Sequence, residues 1–69
     1  MDPATHRRFL EYLELCESFL RAGMTKLDKH TFPPLDAEYA ELEAREAKGE
    51  LDGFGVRRMM ELRKLLLRD

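Results

Sequence analysis

The stretch Lys48-Gly49-Glu50-Leu51-Asp52 decides the fold. Glycine supplies the left-handed residue that ends one helix, leucine is apolar enough to be buried, and aspartate is a ready N-cap for the next helix. Such a joint folds two helices back on each other. Upstream, a helix spanning about 35–48 begins near Leu35-Asp36, with Asp36 as its N-cap. Its alanines Ala37, Ala40, Ala44 and Ala47 form one narrow stripe that lets a neighbouring backbone come close, and Leu35, Tyr39 and Leu42 form a second. Two stripes imply two different contacts. Downstream, a helix over about 52–67 places Met59, Leu62 and Leu66 on one ridge and Val56, Met60 and Leu67 on another, with Arg63 between them. Arg57, Glu61, Lys64 and Arg68 oppose these ridges and are expected in solvent.

Charge divides between the two helices. Residues 36–52 carry seven acids and two bases, whereas residues 53–69 carry five bases and two acids. Antiparallel packing sets unlike charges side by side, a modest and salt-sensitive benefit. The same division can steer one subunit toward another.

The N-terminal stretch reads as a third helix, about 3–22. Asp2 precedes Pro3, an N-cap followed by proline at the first helical position, with Thr5 as the alternative cap. Phe9, Tyr12, Leu13, Cys16, Phe19 and Leu20 recur at three- and four-residue spacing, and the stripe is wide enough to require two neighbours. Leu10 breaks the pattern in the polar arc, and Arg8 falls on the apolar edge. Gly23 ends this helix. The loop over 23–34 is pinned by Leu27 and Phe32, and Pro33-Pro34 imposes an extended approach to the next helix. As the longest connection, it is a natural place for a functional surface.

The glycine–leucine–cap turn within residues 39–67 loosely resembles short bacterial helical hairpins of the SHOCT type. Gly53 and Gly55 depart from the acidic helix formers of that pattern. The resemblance implies a hairpin shape and nothing about activity.

At 69 residues the chain makes one α-helical domain, residues 1–69, near the lower limit for independent folding. Cores of this size rarely supply more than about 3–5 kcal/mol without a staple. Cys16 is the only cysteine, so no intrachain disulfide forms and a thiolate zinc site lacks its ligands. Charged residues make up 38% of the chain, with a net charge of −2. That mixture describes a solvated helical surface better than a nucleic-acid footprint. Glu11, Glu14 and Glu17 interrupt any secretory or membrane-spanning apolar run, so a cytoplasmic protein without membrane contact is expected.

Chemical signals are sparse. Cys16 lies mid-helix on the apolar arc, the place of a small hydrophobe rather than of an exposed nucleophile with a base beside it. His6, Asp28 and His30 have no metal-ligand spacing, and no phosphate-binding or hydrolase motif occurs. No catalytic residue, cofactor or metal is expected. Gly53-Phe54-Gly55 either turns Phe54 inward as a plug, the favoured reading, or leaves it as an exposed anchor. Arg63 either snorkels between the ridges or pairs with a glutamate across a subunit contact.

These observations lead to an all-α expectation: a small three-helix bundle, with a C-terminal hairpin crossed by the N-terminal helix and completed by dimerisation. The expected function is a small non-enzymatic interaction or regulatory protein, a homodimer that also contacts another protein. Its interface would draw on Phe54, Val56, Met59, Met60, Leu62, Arg63, Leu66 and Leu67. The competing expectation is a nucleic-acid-binding regulator using Arg57, Arg58, Lys64 and Arg68.

Overall fold

Regular structure among the described residues consists of three helices, α1 (Pro3–Phe19), α2 (Phe32–Ala47) and α3 (Gly53–Leu65), with no strand. The computed structural model describes residues 1–19, 23 and 25–68. The expected end of α1 at Ala22, and the place of Leu20 on its apolar stripe, lie outside those residues. Gly23 does adopt a positive φ of 90°. At the other end of α1, the Asp2 carboxylate accepts from the Thr5 backbone N–H at 3.4 Å and from the Thr5 hydroxyl. Asp2 therefore works as the N-cap.

The entry to α2 differs from the sequence expectation. The Asp28 carboxylate accepts from the N–H groups of His30 and Thr31, each at 2.8 Å, and the Thr31 hydroxyl accepts from the Asp28 N–H. Phe32 then donates its N–H to the Asp28 carbonyl at 2.9 Å. This turn launches the helix at Phe32 rather than near Leu35. Pro33 and Pro34 fall in the first turn, where an N–H would have no partner within the helix, so their missing donors cost nothing. Asp36 is consequently an interior helical residue and caps nothing.

The α2–α3 joint forms as the sequence implies. Gly49 has φ 70°, the Glu50 N–H reaches the Arg45 carbonyl at 2.9 Å, and the Gly49 N–H reaches that of Glu46 at 3.0 Å. The Asp52 carboxylate then accepts from the Gly55 N–H at 2.7 Å and caps α3. A Cβ on Gly55 would lie 2.5 Å from Leu51 Cδ1, so glycine here makes room for Leu51 to fold over the first turn. Nothing crowds a Cβ at Gly49, where only the positive φ matters. Gly49→Ala is expected to cost about 1 kcal/mol, seen as a lower urea midpoint with an unchanged slope.

α3 ends by the same hydrogen-bond pattern without a glycine. Arg68 donates its N–H to the Arg63 carbonyl at 2.8 Å, and Leu67 takes the left-handed position at φ 56°. The helix therefore stops at Leu65, short of the expected Leu67. Leu66 continues the buried ridge of Met59 and Leu62 by helical spacing, and the reversal after it swings Arg68 back over α2.

α2 is the central element. Both α1 and α3 pack on it, while no Cα of α1 lies within 8 Å of a Cα of α3. The core joins Tyr12 and Cys16 of α1, Leu27 of the connecting loop, Phe32, Tyr39 and Leu42 of α2, and Met59, Leu62 and Leu66. Phe9, Tyr12 and Phe32 pack edge-on or tilted, with ring centroids 5.2–6.4 Å apart. The Leu27 N–H donates to the Tyr12 hydroxyl at 2.8 Å. The apolar stripe of α1 thus has α2 on one side and the connecting loop on the other, in place of a second helix, but Phe19 at its end is 62% exposed rather than covered. Ala37, Ala40, Ala44 and Ala47 all face outward, and no described helix uses the close approach they permit.

The molecule measures 34 × 28 × 17 Å, with a Cα radius of gyration of 12.5 Å. A compact 69-residue domain would have about 11 Å. The difference reflects a flat arrangement in which two outer helices flank a third without closing on each other.

Candidate interaction surface

α3 divides its apolar residues between the core and the outside. Met59, Leu62 and Leu66 are buried within their own chain, which takes them out of the group expected to face a partner. Leu67 is half-buried against that core. Arg63 is half-buried too, and its Nε donates to the Tyr39 hydroxyl at 3.1 Å. The remaining three stand open: Phe54 is 81% exposed, Met60 54% and Val56 45%. Phe54 therefore does not plug the hairpin; Leu51, under Gly55, occupies that end.

Helical spacing groups these side chains. Val56, Arg57 and Lys64 lie four residues before, three before and four after Met60, so all share one face. Phe54 projects from the first turn in a different direction. Neither Arg57 nor Lys64 has an ion-pair partner among the described residues.

The other two basic residues expected at a nucleic-acid surface are already engaged. Arg58 is held bidentately by Glu38, with Nη2 at 2.9 Å from Oε1, and also meets Glu61. Arg68 donates to Asp36 at 2.6 Å, with its guanidinium carbon 5.3 Å from the Tyr39 ring centroid and 6.0 Å from that of Phe32. The expected row of solvated cations is thereby reduced to two, with Glu61 between them in the sequence.

Asp36 is the feature that sequence reasoning missed. It is only 2% exposed, and it accepts from Arg8 Nε at 2.8 Å and Arg8 Nη2 at 2.7 Å, as well as from Arg68. Burial alone would raise its pKa, but hydrogen bonds and charge from the two guanidinium groups outweigh it and hold the carboxyl below its ordinary range. Arg8 on the apolar edge of α1 was the available signal. One acid thus ties all three helical segments together.

Burial, followed by a hydrogen bond with the Cys16 thiol, pushes the Tyr12 hydroxyl up to about 12, so it stays protonated near neutrality. Cys16 itself is buried. Among the described residues, no three of His, Cys, Asp and Glu gather in a way that could hold a metal ion. A shallow apolar groove on α1 is lined by Phe9, Leu13 and Leu27, with Lys26 and Lys29 at its edge. No helix of the described residues is long and apolar enough to cross a membrane.

Among known proteins, no family model, curated sequence or solved structure matches this chain. The hairpin resemblance of residues 39–67 accordingly has no family match behind it.

Proposed function

We propose that this chain is a small non-enzymatic interaction protein of regulatory type, which acts as a homodimer through the outward face of α3. The observation that carries the proposal is surface area. The chain exposes 5196 Å², whereas a folded monomer of its mass should expose about 4,500 Å². The excess, about 700 Å², is close to the ~800 Å² that each partner buries in a standard interface. Val56 and Met60 supply an apolar centre for such a contact, and Arg57 and Lys64 a charged rim. A cytoplasmic setting fits the single cysteine, Cys16, which is buried and without a disulfide partner.

The nucleic-acid alternative draws less support. Two unengaged cations and a net charge of −2 make a poor phosphate footprint.

Sedimentation at micromolar concentration tests the proposal. The expected species has twice the chain mass of 8.1 kDa. Met60→Glu should weaken association by about 30-fold, as loss of a central anchor worth ~2 kcal/mol would, and leave helix content intact because Met60 is exposed. A wild-type chain that stays monomeric, with melting independent of concentration, refutes the dimer.

A further inference from the structure

We infer that the α3 face of one copy docks on the outer face of α1 of a second copy, around Leu10, Glu14 and Glu17. The inference rests on the self-association proposed above and supplies its missing half, the surface that receives α3.

Charge decides first against the simplest arrangement. An α3-to-α3 contact centred on Met60 would bring Arg57 and Lys64 of both copies together. The one acid of α3, Glu61, is drawn aside by Arg58, which Glu38 also holds. Like charges at a contact cost association and suppress that pairing. The receiving surface must therefore be acidic, and it needs an apolar residue for Val56 and Met60 to bury against.

Two acidic faces are available among the described residues. The outer face of α2 carries Glu43 and Glu46, but none of the large exposed apolar side chains lies on α2. The outer face of α1 carries both components. Leu10 is 48% exposed, and Glu14 and Glu17 follow it by four and seven residues, so the three share one face. Half-buried Leu13 extends the apolar part. Neither glutamate has an ion-pair partner among the described residues. His6 and Arg7 lie one turn before Leu10, which confines the acidity to the later half of the helix. Leu10 was the residue that broke the polar arc of α1; as a docking position it has a physical reason to be there.

Within a single copy this pairing does not form, since α1 and α3 sit apart on either side of α2. Between copies nothing comparable stands in the way. In a two-fold dimer each copy would use both its acidic apolar face and its basic apolar face, giving two equivalent contacts, and both faces are exposed in the free chain.

A reciprocal charge reversal in the full chain tests the assignment. Arg57→Glu with Lys64→Glu makes α3 acidic; Glu14→Lys with Glu17→Lys makes α1 basic. All four residues are exposed, and circular dichroism verifies that both variants fold. Each variant alone should associate at least about 10-fold more weakly than wild type, because its contacts become acid against acid or base against base. An equimolar mixture should restore the dimer, since both contacts between unlike variants are again complementary. Undiminished dimerisation of the Glu14→Lys, Glu17→Lys variant overturns the α1 assignment while leaving self-association standing. Failure of the mixture to recover has the same meaning. A monomeric wild type removes both claims.

Discussion

Phe32→Ala is expected to leave the chain without a cooperative unfolding transition at 25 °C. Phe32 is completely buried, packed at a tilt against Phe9 and Tyr12, and covered by the Arg68 guanidinium. It is also the first residue of α2, so its ring fixes where the central helix enters the core. Truncating a buried phenylalanine costs about 3–5 kcal/mol. A chain this small rarely has more than about 3–5 kcal/mol in total, so the loss consumes the whole margin. Urea titration followed by circular dichroism gives the readout. Phe54→Ala is the matched control: the ring is largely in solvent, and the change in monomer stability should stay within about 0.5 kcal/mol. If Phe32→Ala unfolds at the same urea concentration as wild type, the aromatic cluster is not where the stability of this fold resides.

The contrast between these two phenylalanines shows what the residue pattern could and could not disclose. The hairpin joint was legible because its signals are local: a glycine at positive φ, a leucine, and a capping aspartate act within five residues. The start of α2 was not, because it depends on a turn in which the Asp28 and Thr31 side chains accept from each other's backbone N–H groups, leaving Thr31 with no capping bond to the helix it precedes. Prolines that normally halt a helix were placed where a helix does not need their donors. Once α2 begins at Phe32, Asp36 follows Phe32 by four and precedes Tyr39 by three, which sets it on the buried face. The candidate surface divides in the same way. Helical spacing groups Val56 and Met60 with Arg57 and Lys64, but only the packing of α2 reveals that Met59, Leu62 and Leu66 are already taken. The engagement of Arg68 is invisible in the sequence because it requires the chain reversal at Leu67, a left-handed leucine where a glycine is the usual signal.

That reversal underlies the second large effect. Asp36→Ala is expected to destabilise the chain by about 3 kcal/mol, at the lower end of what removing one partner from a buried ion pair costs. The lower end applies because Arg8 and Arg68 are partly exposed and can regain water. Acid titration separates this carboxylate from the others. Its folded pKa lies below the unfolded value of about 3.9, so its contribution is fully present above about pH 4 and is lost as pH falls through the folded pKa. Asp2, Asp28 and Glu38 shift in the same direction, through Thr5, through the Thr31 and His30 amides, and through Arg58 respectively. They are solvent-facing, and screening leaves them a small share. Wild-type stability should therefore fall below about pH 4, and Asp36→Asn should lessen that fall while lowering stability at pH 7. Arg68→Met, which keeps an apolar stem over Phe32 and Tyr39 and leaves Arg8 in place, should cost less than Asp36→Ala. Equal stability of Asp36→Asn and wild type at pH 7 would mean that the aspartate does not join the helices, and that Leu66 and Phe32 hold the reversed C-terminal segment without it.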